Sequence, residues 1–315
     1  MKRLVVLLIL ALLLGSEIRA FDKAACISVD VRETLGPVRF QNDKAWCFAF
    51  AAADLLTYRF RNELKGERVS AVYTALTYTR RFAVDPYSDA GGVARFAITA
   101  AYRRGFCPQS IEDEALRRGP LGSLDQKLRT LRALKTMYDR GDTNGLERKL
   151  DQLAKSNSIV TSVPRQEFMR VLRQSSRRSF PIQFADLLCG SNRYKPTSRI
   201  SVESMVKWVS GTTKMRNAID QQLTAGNIVA IGYYSAFLLL GNSAPRTDRH
   251  LSVIVGRRWN AKQNRCEYLI RNSFGPECLG YADDYRTPEN CQAGHIWVPR
   301  SVLERNLYAV TYIKP

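Results

Sequence analysis

The stretch from Gln41 to Phe50 reads QNDKAWCFAF. It contains Cys47, and the interpretation of the other segments starts from this residue. The alanine-rich segment after it places Ala52, Leu55 and Leu56 at helical spacing, which predicts a helix with one buried face. Cys47 stands in the first turn of this helix, where the positive end of the helix dipole lowers the pKa of a thiol and favours the nucleophilic thiolate. The alternative is a structural cysteine, since free cysteines are often core residues.

Two further segments carry groups that suit nucleophilic catalysis. The chain has only two histidines, His250 and His295. His250 opens the strand-like run HLSVIVG, and Asn272 follows within IRNSFG. A thiol, an imidazole and an amide that orients the imidazole form a catalytic set. Each alone has an ordinary explanation, such as a core histidine or a turn asparagine, so only their joint occurrence indicates a site.

Four segments together resemble papain-like cysteine peptidases, the papain and cathepsin family. GPVRFQ at 36–41, followed by Cys47, resembles the family's active-site entry, and NSFG at 272–275 resembles its Asn-Ser-Trp-Gly segment. His250 before a valine-rich strand resembles the family's histidine segment, and the pair at 91–92 resembles the glycines of its cleft. The resemblance covers more than half of the chain, and its overall character is that of a divergent bacterial member.

The resemblance implies a catalytic role for four residues. Cys47 would be the nucleophile, and His250 would hold it as a thiolate–imidazolium pair and later protonate the leaving amine. Asn272 would accept a hydrogen bond from the imidazole and fix its tautomer. Gln41 would donate its side-chain amide to the oxyanion, together with the backbone N–H of Cys47. These roles predict an exported cysteine endopeptidase that hydrolyses peptide bonds.

Three more residues receive supporting roles from the resemblance. Gly91 and Gly92 would let the substrate backbone approach and pair like an added strand. Phe274, in place of the family's tryptophan, would cover the contact between His250 and Asn272. The resemblance implies a polypeptide substrate, no cofactor and no metal. Two alternatives remain: a catalytically silent papain-like binding protein, or a thiol amidase or transpeptidase that acts on cell-wall peptides.

One departure from the family pattern removes a disulfide. Lys44 stands where the family has a cysteine before the nucleophile, and Asp89 stands where the partner cysteine precedes the paired glycines. Because both halves are replaced together by opposite charges, we expect an ion pair between Lys44 and Asp89.

The predicted fold is α+β, a papain-like arrangement of a helical lobe and an antiparallel β-barrel lobe with a helical insertion. The predicted divisions are a signal peptide at 1–20, the helical lobe at 21–107, the insertion at 108–201 and the barrel lobe at 202–315. Alternating β-branched and aromatic residues predict five strands in the last division: Ile228–Tyr234, Leu251–Val255, Tyr268–Arg271, His295–Val298 and Tyr308–Ile313. The active site is expected in the cleft between the lobes.

The insertion explains an unusual spacing. Cys47 and His250 are 203 residues apart, whereas compact family members have roughly 130 to 150. The surplus segment contains helical patterns, one of which begins with a capping signal at Ser123 and Gln126. It is either an ornamental addition or a cap over the cleft that restricts the substrate or binds a partner.

The first twenty residues are typical of a secretory signal peptide. Lys2 and Arg3 precede an apolar stretch from Leu4 to Leu14, and the small residue Ala20 follows. The stretch is short for a membrane-spanning helix, although an uncleaved anchor is the alternative. We therefore expect an exported protein, either periplasmic or secreted, which acts as a monomer.

The chain is strongly basic. Its formal charge of +19 falls to +17 when three basic residues and one acidic residue of the leader are removed. The charge is spread along the chain, and we find no nucleic-acid motif. It forms either an ordinary solvated surface or a surface that attracts anionic partners such as cell-wall polymers or lipid headgroups.

The chain has seven cysteines, an odd number for an exported protein. With Cys47 free, the other six can pair in about fifteen ways, of which Cys278 with Cys291 is the simplest single bridge. The alternative groups Cys266, Cys278 and Cys291 with His295 as a structural zinc site, which export to an oxidising compartment disfavours.

Overall fold

The structure of the protein is a computed structural model, which describes residues 23–24, 26–42, 44–81, 85, 91–117, 123–156 and 159–314. The predicted signal peptide and Asp89, the expected partner of Lys44, lie outside the described residues. Its α-helices are α1 (Cys47–Arg59), α2 (Arg61–Leu64), α3 (Ala71–Arg81), α4 (Ala94–Arg104), α5 (Gln109–Arg117), α6 (Leu124–Asp139), α7 (Thr143–Lys155), α8 (Arg165–Gln174), α9 (Phe180–Cys189), α10 (Lys207–Thr224), α11 (Ala236–Leu240) and α12 (Arg300–Asn306).

The strands form one antiparallel sheet. They are β1 (Val29–Asp30), β2 (Ser201–Val206), β3 (Val229–Tyr234), β4 (Arg249–Asn260), β5 (Arg265–Arg271), β6 (Cys291–Gln292), β7 (His295–Pro299) and β8 (Leu307–Lys314). Their order is β2-β8-β3-β4-β5-β7-β6, and β1 pairs with β4. All five predicted strands are present, which confirms a mixed fold with an antiparallel sheet. The predicted barrel is not shown as closed, because within the described residues the end strands β2 and β6 do not pair with each other.

Helix α1 is buried on almost every side, although its sequence predicts one buried face. It packs against α3, α4 and strand β4, so little of its surface faces solvent. Residues Cys47–Tyr58 are all buried. The physical reason is the small size of alanine, which lets neighbouring elements approach α1 from several directions and leaves no polar face.

A second hydrophobic core lies between the sheet and helix α10. Met215, Ile219 and Leu223 of α10 form an apolar stripe and are buried where this helix packs against β8, β3 and β4. His250 stands at the start of β4, opposite Tyr233 of β3. The packing of α10 therefore fixes the strand that presents His250.

The insertion is helical, as its sequence predicts, and it packs against the helical lobe. Ser123 caps α6 by accepting a hydrogen bond from the N–H of Gln126 at 3.2 Å. Leu124 and Leu128 of α6 join the main core that contains Trp46. The insertion also has a core of its own around three phenylalanines, Phe168, Phe180 and Phe184.

A buried ion pair links the insertion to the loop before Cys47. Lys44 Nζ lies 2.5 Å from Asp125 Oδ1 of α6, and Lys44 is almost fully buried. The expected pair of Lys44 with Asp89 stays a prediction, since Asp89 lies outside the described residues.

The described residues form two disulfides. Cys26 bonds to Cys266, and the predicted bridge between Cys278 and Cys291 is present. The three cysteines of the alternative zinc site are therefore all oxidised and are not available as thiolate ligands. Free thiols are found at Cys47, Cys107 and Cys189. Among the described residues, none of the helices is long and apolar enough to cross a bilayer.

Candidate active site

Cys47 is the first residue of α1, directly after the buried side chain of Trp46. The residue is 7% exposed and is therefore largely enclosed. The backbone N–H of Leu251 faces this sulfur, as do the N–H groups of Cys47 and Phe48 in the first helical turn. Cys47 therefore lies beside the part of β4 that carries His250.

The helical position of Cys47 predicts a lowered thiol pKa, but its surroundings raise that pKa. Burial raises the pKa of the Cys47 thiol, and the three surrounding N–H groups lower it by less. The physical reason is that removal of a thiolate from water costs more free energy than the N–H groups at the helix start provide. In the free protein the thiol is therefore held in its neutral form.

His250 and Asn272 form a buried hydrogen bond. His250 Nε2 lies 2.8 Å from Asn272 Oδ1, and both residues are buried. Ser252 Oγ also donates to Asn272 Oδ1 at 3.2 Å, and Asn272 Nδ2 donates to the Tyr281 hydroxyl at 3.1 Å. Because Oδ1 accepts in this network, Nε2 of His250 carries the proton. The other ring nitrogen, Nδ1, is then the basic one.

The imidazole of His250 is covered on two sides by aromatic rings. The Phe274 ring lies 4.5 Å from it, centroid to centroid, and the Tyr233 ring meets it edge-on at 5.8 Å. Burial lowers the pKa of His250 to about 4, against a smaller opposite effect of Asn272. Phe274 therefore lies over the imidazole, and burial keeps that imidazole neutral.

Gln41 is fixed next to the same loop. Its side-chain Oε1 accepts a hydrogen bond from Ser273 Oγ at 2.6 Å, and its backbone N–H donates to the Ser273 carbonyl at 2.9 Å. Its Nε2 donates one hydrogen to the Lys44 carbonyl at 3.0 Å. The amide of Gln41 is therefore held between the Asn272 loop and the segment that leads to Cys47.

The two glycines differ sharply in their surroundings. A Cβ at Gly92 would lie 2.7 Å from the ring of Phe48, the residue after Cys47, whereas a Cβ at Gly91 would meet nothing within 4 Å. Gly91 is exposed and Gly92 is half-buried. Gly92 therefore permits close packing against the start of α1, and Gly91 leaves its backbone open to an approaching chain.

A buried charge cluster joins the helix of Cys47 to the strand that precedes Asn272. Asp54 of α1 accepts from Arg39 at 2.6 Å and from Arg271 of β5 at 3.0 Å. Arg271 also donates to the carbonyls of Gly36 at 2.8 Å and Pro37 at 2.6 Å. The cluster holds α1, β5 and the segment before Gln41 in one arrangement.

Sequence reasoning missed several residues of this arrangement. Ser252 could have been found, since it lies two residues after His250 on one strand and therefore points to the same face. Tyr281 lies in a loop and Asp54 inside a helix, and neither carries a local signal. The second histidine, His295, is buried on β7 beside Arg271, with 3.3 Å between their nitrogens. His295 therefore contacts Arg271 within the sheet, whereas His250 is the histidine that is hydrogen-bonded to Asn272.

Comparison with solved structures places the fold. No family model matches the chain, and no curated protein matches it. A structure from work on the mite allergens Blo t 1 and Der p 1 is 15% identical, with a TM-score of 0.50, and the match covers 94% of this chain and 77% of that one. At this level of identity the likeness shows the fold alone.

Two further structures are similar at lower TM-scores. The proform of the ragweed pollen allergen Amb a 11, a cysteine protease, is 15% identical with a TM-score of 0.47, over 91% of this chain. The chain spans 64% of the length of that proform. The bromelain protease of Ananas comosus, solved with the E64 inhibitor, is 13% identical with a TM-score of 0.45, over 91% of this chain and 98% of that one.

Proposed function

We propose that this chain, which has a papain-like fold, is a cysteine endopeptidase that hydrolyses peptide bonds in polypeptides. One observation supports this proposal most strongly. The imidazole of His250 is hydrogen-bonded to Asn272 under the ring of Phe274, next to the backbone that faces the Cys47 sulfur. A thiol, an oriented imidazole and an amide in this relation suit nucleophilic catalysis.

The environment of the pair indicates how the reaction starts. Both Cys47 and His250 are held neutral by burial, so the thiolate forms as the substrate arrives and not in the free protein. The sulfur attacks the carbonyl carbon while its proton moves to Nδ1 of His250, since Nε2 is engaged by Asn272. The imidazolium then gives that proton to the leaving amine, and water hydrolyses the thioester through the same base.

The negative oxygen of the tetrahedral intermediate needs hydrogen-bond donors. The backbone N–H of Cys47, in the first turn of α1, supplies one. The Nε2 of Gln41 supplies the other through its second hydrogen, since one hydrogen is directed to the Lys44 carbonyl. Each such donor typically contributes about 3 kcal/mol of transition-state stabilisation.

The remaining parts of the proposal concern the substrate and the compartment. Gly91 lies exposed beside Gly92, and its open backbone is suited to pairing with an extended substrate. Two disulfides support export to an oxidising compartment. The basic charge supports contact with anionic surfaces outside the cytoplasm.

Hydrolysis of an unfolded protein and of a peptide library by the purified chain tests the proposal. We expect Cys47→Ala to abolish hydrolysis, while Cys107→Ala, which removes another buried thiol, retains it. A wild-type protein that binds peptides without cleaving them would instead support a silent binding protein. Products in which only cell-wall amide bonds are cleaved or exchanged would support an amidase or transpeptidase.

A further inference from the structure

A basic pocket opens beside His250 on the face of the sheet that meets Cys47. Its volume is about 520 Å³. It is lined by the ends of β2, β3, β4 and β8, the first turn of α10, the end of α12 and the loop before β4. The lining residues are Val206, Lys207, Trp208, Tyr234, Arg246, Arg249, Arg305, Leu307 and Tyr308.

Four of the nine lining residues are cationic and none is acidic. Within the part of the chain that the structure describes, Lys207, Arg246, Arg249 and Arg305 form no ion pair with a carboxylate. The pKa of Lys207 is lowered, first by burial and then by the nearby charge of Arg246, with a smaller opposite effect of Glu304. Such a pocket favours an anion, because an anion relieves the repulsion between neighbouring cations.

The pocket is adjacent to the proposed reaction centre. Arg249 directly precedes His250 in β4. The Tyr308 hydroxyl donates to the His250 carbonyl at 3.3 Å. The pKa of Tyr308 is raised to about 12, mainly by burial, and a thiolate at Cys47 would raise it further. Tyr308 therefore lies near Cys47 as well as His250. A polypeptide bound at Cys47 would therefore place a neighbouring group in this pocket.

The walls of the pocket suit a carboxylate on a short aliphatic stem. The rings of Tyr234 and Tyr308 lie 5.4 Å apart, and the Arg249 guanidinium lies 5.7 Å from the centre of the Tyr308 ring. Trp208 is 87% exposed at the rim. Planar guanidinium groups bind carboxylates through two parallel hydrogen bonds, and aromatic walls contact the methylene groups of a glutamate.

We propose that this pocket binds a carboxylate of the polypeptide substrate and thereby selects acidic sequences. The identity of the bound molecule as a substrate rests on the proposed peptidase function, whereas the preference for a carboxylate rests on the pocket alone. The carboxylate has two possible sources, a glutamate or aspartate side chain and a free C-terminus. A peptide series distinguishes them.

The experiment measures peptide binding to Cys47→Ala protein, so that cleavage is not needed. Peptides that differ only as glutamate or glutamine at one position, each with an amidated C-terminus, test the side-chain source. The same peptides with a free C-terminus test the other. We expect at least a tenfold preference for glutamate over glutamine, or for a free over an amidated C-terminus, roughly the contribution of one charge-assisted hydrogen bond. We expect that preference to shrink as salt is added.

Charge-removing variants locate the effect. Arg249→Gln and Arg246→Gln, each added to the Cys47→Ala protein, should abolish most of the preference. The matched change Arg173→Gln, on helix α8 of the insertion, should preserve it. Equal affinity for all peptide forms, no measurable binding, or a preference that survives both pocket variants would overturn the proposal. Loss of hydrolysis in the wild-type protein with the preference intact would instead contradict the peptidase function alone.

A different observation concerns the two free cysteines outside this region. Cys107, after α4, and Cys189, at the end of α9, pack together with Tyr73 in a buried cluster. Their thiols are close enough to hydrogen-bond to each other. The two residues are 82 positions apart and connect the helical lobe to the insertion.

We infer that Cys107 and Cys189 form a third disulfide in an oxidising compartment. Each thiol loses a proton and an electron, one sulfur–sulfur bond forms, and the two electrons reduce a small-molecule disulfide to two thiols. Peptide mapping by mass spectrometry after refolding in glutathione disulfide should recover a Cys107–Cys189 linked peptide, which dithiothreitol removes. Cys189→Ala should leave Cys107 as a free or glutathione-capped thiol. A wild-type protein with both native bridges formed but with Cys107 and Cys189 unlinked would refute this inference.

Discussion

At the scale of single residues, the two neighbouring glycines make a matched test of packing at the site. Gly92→Ala would place a methyl group against the Phe48 ring, which also packs on Tyr78 at 4.6 Å. We expect it to lower the free energy of unfolding by about 1–3 kcal/mol, the usual cost of overpacking. Gly91→Ala meets open space, and its effect should stay within about 0.5 kcal/mol. Urea unfolding of both variants checks this, and equal stabilities would contradict the packing described here.

The hydrogen bonds to Asn272 predict a graded effect on catalysis. Asn272→Ala removes the partner of His250 Nε2, so kcat should fall roughly tenfold to a hundredfold with little change in KM. Ser252→Ala removes only the second donor to Asn272 Oδ1, and kcat should fall about twofold to tenfold. Steady-state kinetics on one peptide substrate measures both. A larger loss for Ser252→Ala than for Asn272→Ala would contradict the assigned network.

The burial of His250 predicts the acid side of the pH profile. Because burial lowers its pKa to about 4, the imidazole is neutral and able to act as a base above that pH. We expect kcat/KM to fall as the pH decreases through about 4. Circular dichroism over the same pH range must show that the fold persists. A midpoint above pH 6 in folded protein would indicate an imidazole that is not buried as described.

At the scale of elements, Asp54 holds α1 against β5, and its charge matters for stability. Burial raises the pKa of Asp54, but the charges of Arg271 and Arg39 lower it overall. A carboxylate with a lowered pKa stabilises the fold fully above its unfolded value of about 3.9, and this contribution is lost as the pH falls through the folded value. Acid therefore weakens the attachment between the two elements.

Replacement of Asp54 tests this attachment. Asp54→Asn leaves two buried guanidinium groups without their anion and should cost about 3–5 kcal/mol of unfolding free energy at neutral pH. Asp283, which is exposed and pairs with Arg286 at 2.8 Å, provides the control. Asp283→Asn should cost less than about 1 kcal/mol. Urea unfolding at pH 7 and pH 3 measures both variants. The difference between wild type and Asp54→Asn should shrink at pH 3, and a constant difference would contradict the role given to the charge.

The elements also show what sequence alone could predict. The strands carry a local alternation of β-branched and aromatic residues, so all five were predictable. The burial of α1 on all sides was not, because alanine marks no particular face. The raised pKa of Cys47 was not, because the helix position is local whereas burial depends on β4. The contact of Asp54 with Arg271 joins residues 217 positions apart and has no local signal.

At the scale of the whole molecule, the candidate site depends on parts of the chain that are far apart in sequence. Helix α1 supplies Cys47, and the sheet supplies His250 and Asn272. The order of these residues was predictable from their resemblance to a known family. The attachment of the insertion through Asp125 to Lys44 was not, because these two residues are far apart in the sequence and carry no local signal. The insertion therefore contributes side chains such as Leu124 and Leu128 to the main core.

Labelling with an electrophilic peptidyl epoxide tests most directly whether Cys47 and His250 act as a pair. Mass spectrometry of the labelled protein should find the epoxide on Cys47 and leave Cys107 and Cys189 unmodified. Because His250 must take the thiol proton, His250→Ala should slow labelling by about a hundredfold or more. Modification of Cys47 at the same rate in His250→Ala, or modification of the other free thiols in preference to Cys47, would contradict the account.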